Sequence, residues 1–210
     1  MPIVVTRFPS CPALGADFAA APWATLPPAA IATAWDGSPV PASLMTSARL
    51  GWSHDHLWIG YECAYAELDM DDAPDTGVER AGLWERDVCE AFIQSPAEPH
   101  GDSYKEFEVG PSGQWCDLAI HRPRVDVDLG WQSGMATAAA IDHDRRVWRA
   151  VMRIPFTALG VVPRAGDRWR ANLFRIGRID GERRYLAFAP TGTPAPDFHV
   201  PARFVPLVFA

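Results

Sequence analysis

The chain has 210 residues, 48% of them hydrophobic and 21% charged, which is enough apolar side chain for one globular core. Its formal net charge of -7 disfavours a nucleic-acid backbone as partner, and no apolar run approaches the ~18 residues of a membrane-spanning helix. The N-terminus lacks the basic start and long apolar segment of a secretory signal, so the expected location is the cytoplasm, or outside the cell if a leader was trimmed.

Twenty prolines and sixteen glycines punctuate short apolar runs, and helical periodicity is scarce. This pattern predicts a single all-β domain, a sandwich of two antiparallel sheets. Residues 1–47, rich in Ala and Pro, are expected to wrap the sandwich edge. Residues 48–52 and 57–63 read as a hairpin, with Leu57, Ile59, Tyr61 and Cys63 on one face by the period of two. An acidic loop follows, carrying Asp69, Asp71, Asp72, Asp75 and Glu79.

Residues 88–94 form the next expected strand, with Cys89, Ala91 and Ile93 on one face and Glu90 and Phe92 on the other. Residues 104–109 alternate similarly, Glu106 and Glu108 opposite Phe107 and Val109. Strands are expected over 115–120, 135–141 and 147–154, then one helical turn over 156–159 before Gly160. Residues 168–176 and 183–188 make a last hairpin, in which Asp180-Gly181 is a strong turn signal. The spacing of Cys11, Cys63, Cys89 and Cys116 matches no zinc pattern. Free thiols are expected, those of Cys63, Cys89 and Cys116 buried in strands.

Two stretches carry the functional signal. One runs Leu83-Trp84-Glu85-Arg86-Asp87-Val88-Cys89-Glu90; the other runs Trp169-Arg170-Ala171-Asn172-Leu173-Phe174-Arg175. Both combine apolar bulk with charge on strands, the composition that grips a sugar: a ring covers its apolar face while planar polar groups take its hydroxyls. Trp84 is read as a stacking platform or as a plug for the sandwich end. Glu90 is read as a hydroxyl acceptor or as a buried partner of Arg175 or Arg170, because an unpaired buried carboxylate is costly.

These words, in order, resemble carbohydrate-binding module family 9 and the wider DOMON-like group. The resemblance rests on Leu83-Trp84 with Asp87-Val88 and Glu90-Ala91-Phe92-Ile93, on Tyr104 to Val109 with Gly113, and on Trp148-Arg149-Ala150 with Ile154-Pro155. It continues through Gly166, Trp169-Arg170-Ala171-Asn172 and Arg175 to Ala187-Phe188-Ala189-Pro190-Thr191, Phe198-His199 and Pro201. It implies a β-sandwich that holds sugar ends between two aromatic rings. On that pattern Trp84 is the first ring, Phe188 stands near the second, and Glu90 takes hydroxyls. The chain departs from the pattern in having Phe188 where Trp is preferred, no Asn near Gly110, and Phe204-Val205 in place of Phe-Gly.

The resulting expectation is non-catalytic binding of a small sugar or oligosaccharide, with Trp84 and Phe188 stacking and Glu90, Asn172 and Arg175 hydrogen-bonding. Glycoside hydrolysis by Glu90 with Glu106 or Glu108 is disfavoured, since carboxylates on neighbouring strands are as easily a solvated face. Asp69, Asp71, Asp72 and Asp75 are the candidate calcium ligands, although the loop lacks an EF-hand spacing and fits a solvated acidic loop equally. His199 is read as a hydrogen-bonded turn histidine. Two other classes stand beside this reading: a haem-binding electron-transfer module, for which no Met–His pairing is evident, and a structural or partner-binding module without a small ligand. Nothing in the sequence specifies an oligomeric state.

Overall fold

The computed structural model describes residues 1–71 and 74–210. Strand makes up 44% of the chain, and among the described residues no helix reaches seven residues. The strands are β1 (Ile3–Arg7), β2 (Ala29–Ile31), β3 (Thr33–Ala34), β4 (Thr46–Trp52), β5 (His56–Ala64), β6 (Val88–Gln94) and β7 (Tyr104–Val109). They continue with β8 (Trp115–Arg122), β9 (Asp126–Asp128), β10 (Ala136–Asp142), β11 (Val147–Pro155), β12 (Arg168–Ile179), β13 (Glu182–Ala187) and β14 (Val205–Phe209).

Two sheets pack face to face. The front sheet runs β9-β8-β7-β6-β12; the far edge of the long β12 is shared by β14 along Arg168–Ala171 and β13 along Phe174–Ile179. The back sheet runs β10-β11-β5-β4, with β2 on the free edge of β4. β1 joins the two: Ile3, Val4 and Val5 pair with β14, then Thr6 and Arg7 pair with β4, both in parallel. The remaining ladders are antiparallel.

The N-terminal segment is thus a seam inside the sandwich, since Ile3 and Val5 alternate with exposed Val4 and are fully buried. It also supplies Phe8, Phe18, Trp23 and Leu26, which cover Trp58 and Val151 on the outer face of the back sheet.

The alternation written in the sequence sorts side chains onto faces. Cys89, Ala91 and Ile93 of β6 meet Ile59, Tyr61 and Cys63 of β5 and Trp148, Ala150 and Met152 of β11 between the sheets. The opposite face of the front sheet carries a second cluster of Val88, Phe92, Tyr104, Leu118, Phe174 and Ile176, roofed by Leu83, Phe198 and Phe204. Cys116 belongs to this outer cluster, and all four cysteines are free thiols. Asp180-Gly181 closes the β12–β13 hairpin as a two-residue turn with φ of 54° and 75°, the primed geometry that suits the strand twist. The turn over Phe156–Leu159 forms as a 3-10 helix ending at Gly160, whose φ is 73°.

Candidate functional site

The outer face of the front sheet floors a cavity of about 620 Å³. Glu90 of β6 and Glu106 of β7 contribute to its floor, with Leu118 and Ile120 of β8 and Ile176 of β12. Trp84 and Tyr185 are half-buried aromatic walls, and Phe198, His199 and Asp197 close the side formed by the C-terminal segment. The rim is the β8–β9 hairpin, which presents Val125, Val127 and Leu129 to solvent at 68%, 36% and 59% exposure. Grouped exposed apolar side chains beside a concave polar floor mark a binding surface.

Trp84 is placed by its own loop. Gly82 adopts a left-handed φ of 79° and opens a 3-10 turn over Leu83–Glu85. Leu83 anchors the turn in the outer cluster, leaving Trp84 at the cavity. Ionic contacts lock the turn from behind. Arg86 Nη1 lies 2.7 Å from Asp69 Oδ1, and Arg178 Nη2 lies 2.5 Å from Asp69 Oδ2 and donates to the Glu85 carbonyl. Asp87 accepts from the Asp69 amide at 2.6 Å while its own amide donates to the Asp69 carbonyl.

The second ring facing the cavity is Tyr185. It stands edge-on to Trp35 at 6.1 Å and to Phe198 at 6.0 Å, while Phe198 stacks on Phe174 at 4.2 Å. Phe188 lies three residues on, so alternation turns it to the other side of the sheet, where it packs against the inter-sheet core.

Of the five residues expected to hold ligand, Trp84 and Glu90 line the cavity, whereas Asn172, Arg175 and Phe188 do not. Asn172 shares the outer face, but its amide is consumed: Oδ1 accepts from the Ala189 amide and Nδ2 donates to the Ala189 carbonyl. Arg175 faces Cys89 in the ladder and therefore points between the sheets. There it is fully buried, donating to the Leu44 carbonyl and Thr46 Oγ1 and lying 5.6 Å over the Trp148 ring. A Glu90–Arg175 pair, one of the alternatives the sequence left open, is absent because Glu90 stands opposite Phe174, one residue out of phase. Arg170 donates instead to Gln94 and to the carbonyls of Pro201 and Phe204.

Glu90, Glu106 and Glu108 crowd one face of β6 and β7, each offering a carboxylate oxygen within 4.8 Å of the others. All three are at most 3% exposed. Burial, and then their mutual repulsion, pushes the Glu90 and Glu108 carboxyls well above the usual range; burial raises Glu106 too. Arg124 is engaged with Asp197 at 2.6 Å. His199 lies 3.9 Å from Glu106, but burial and the Arg124 charge hold its ring down to about 4, so it is neutral at pH 7. Its Nδ1 is hydrogen-bonded to the Tyr104 hydroxyl at 2.6 Å.

The acidic loop is knit by arginines. Asp71 takes Arg80 Nε at 2.5 Å, Arg86 Nη2 at 3.0 Å and Gln114 Nε2 at 3.0 Å, and the Arg80 hydrogen bond leads in holding its carboxyl at about 2. Asp69 is shared by Arg86 and Arg178. Asp75 is exposed and bonds the Gly77 amide. Asp72 lies outside the described residues. Guanidinium groups occupy the oxygens of Asp69 and Asp71, two of the four candidate calcium ligands.

Sequence reading reached Trp84 and Glu90 but not the full constellation. The period of two put Glu106 and Glu108 on one face of their strand; the ladder, in which Glu90 stands opposite Glu108, brings them to Glu90. Phe198, Asp197 and His199 lie in irregular chain, where no periodicity assigns a side.

No family model matches the chain, and no curated protein does. Solved structures do. One is a protein of Bacteroides uniformis ATCC 8492, provisionally described as carbohydrate-binding, with a TM-score of 0.78 over 100% of this chain and 99% of that one at 18% identity. Another is a carbohydrate-binding module of family 9 from Caldicellulosiruptor kristjanssonii in complex with cellotriose. The same description, in complex with glucose, applies to a third. Both align with a TM-score of 0.72 and 12% identity over 100% of this chain and 93% or 96% of theirs. The chain has the β-sandwich fold of carbohydrate-binding module family 9. Identities this low carry the fold alone.

Proposed function

We propose that this protein binds carbohydrate without transforming it, in the cavity on the outer face of the front sheet. The observation that carries the reading is one cavity with half-buried Trp84 and Tyr185 as walls and the buried carboxyls of Glu90 and Glu106 in its floor. A pyranose offers the complementary surface, with C–H groups for the rings and hydroxyls that both donate to and accept from carboxyls. The cellotriose and glucose complexes of the Caldicellulosiruptor kristjanssonii modules support a β-linked glucose chain or its end as the first ligands to test.

Binding is favoured over hydrolysis by the placement of the carboxyls. A glycosidase flanks the scissile bond with its acid and its second carboxylate. Here Glu90 and Glu106 rise from adjacent strands of a single floor. The test is a thermal-shift screen of glucose, cellobiose and cellotriose. A sugar that binds only the folded chain raises the midpoint, by roughly 5–10 °C at a hundredfold excess over its dissociation constant. No shift with any mono- or oligosaccharide speaks for a partner-binding module instead.

A further inference from the structure

We propose that Glu90, Glu106 and Glu108 form a binding site for one hard divalent cation, calcium by its tolerance of irregular oxygen shells. The site is separate from the acidic loop, whose Asp69 and Asp71 are already matched to Arg80, Arg86 and Arg178.

Two independent observations support it. The first is geometric: a carboxylate oxygen from each glutamate lies within 4.8 Å of the other two. Oxygen ligands at about 2.3–2.6 Å from calcium span such a spread, whereas magnesium demands a near-ideal octahedron at about 2.0–2.1 Å. The second is an unmet need. Both oxygens of Glu108, fully buried, and Oε2 of Glu106 receive no hydrogen bond from any other side chain or backbone group among the described residues; Glu106 and Glu108 meet only each other, a contact that needs a proton on one of them. Buried carboxyls in proteins are paired, hydrogen-bonded or metal-bound. The groups around this trio do not pair it. Arg124 is bound to Asp197, His199 is neutral, and Glu79 and the Cys116 thiol add only acidic neighbours. Glu90 and Glu106 also line the cavity, so the remaining coordination positions are open to water.

A divalent cation would displace protons from the trio into solvent and offset two of its three negative charges, relieving the repulsion that burial intensifies. The inference does not depend on sugar, because the probe is the metal alone. Chelator-treated protein is titrated with calcium chloride, followed by thermal midpoint and by elemental mass spectrometry after desalting. The expected result is one calcium per chain and a rise of roughly 5–10 °C at a hundredfold excess over the dissociation constant. Glu108→Gln loses the rise, and Asp75→Asn in the exposed loop keeps it. If Glu108→Gln does not fold, Glu90→Gln is read in the same way. Absence of bound calcium with no rise in the wild type overturns the site. A rise that survives in Glu108→Gln, or disappears in Asp75→Asn, overturns it equally by placing the ion elsewhere.

Discussion

Glu90 and Glu108 stand directly opposite each other across the β6–β7 ladder, both buried on the outer face. Like charges so placed are destabilising, and burial makes ionising both of them harder still. The pH consequence follows from the direction of their shifts. Their folded-state carboxyls titrate above the unfolded value, so their contribution is complete below about pH 4 and is lost as pH rises through the folded value. In chelator, the thermal midpoint is expected to fall between pH 5 and pH 8. Glu108→Gln should flatten that slope without abolishing it, because Glu90, Glu106 and Asp87, itself pushed up to about 6 by burial, titrate in the same sense. Facing groups that stay in place are Glu79, Cys116, Tyr104, His199, Arg124 and Asp197. An unchanged slope in Glu108→Gln would remove the carboxyl pair as its cause.

Tyr185 and Phe188 separate binding from packing. Tyr185→Ala takes a wall from the cavity and should weaken sugar binding about tenfold or more, with a smaller loss of stability. Phe188→Ala removes a half-buried ring from the inter-sheet side and should cost about 1–3 kcal/mol in folding while leaving affinity unchanged. Calorimetric titration and urea unfolding of the two variants give the comparison. The reverse assignment would show that Phe188 is the second platform.

Arg175 should behave as a structural residue. Its guanidinium holds the Leu44 carbonyl, Thr46 Oγ1 and the Trp148 ring between the sheets, far in topology from the cavity face. Arg175→Ala is expected to lower stability by about 2–4 kcal/mol through the void and the polar partners it strands. Sugar affinity measured well below the new midpoint should not change. A selective loss of affinity at full folding would return Arg175 to the site.

The parts of this fold that were legible in the sequence were those governed by local rules. β6 and β7 follow from strict alternation, and the Asp180-Gly181 turn from the left-handed backbone it requires. β1 and β14 were not assigned, because their pairing is parallel and joins the two ends of the chain, and β14 carries a proline, Pro206. Trp84 and Glu90 were found because one short word holds both. The pairing of Glu90 with Arg175 failed on register: a shift of one residue carries a side chain to the opposite face, and no single strand reports the register of its neighbour. Asp71 is matched by Arg80 and Arg86 and, from a distant segment, by Gln114, and charge counting alone left that loop open between a cation site and a solvated acidic loop.

Trp84 and the carboxyl floor beside it are the proposed sugar site. Isothermal titration calorimetry of the wild type and Trp84→Ala with cellotriose and glucose tests it most directly. A saturable heat is expected from the wild type. Removing the stacking ring should weaken binding about 30-fold or more, while the unfolding midpoint moves little, since Trp84 is only half-buried. Equal affinity in the two proteins, or no heat from the wild type with any tested sugar, would mean that Trp84 does not hold sugar.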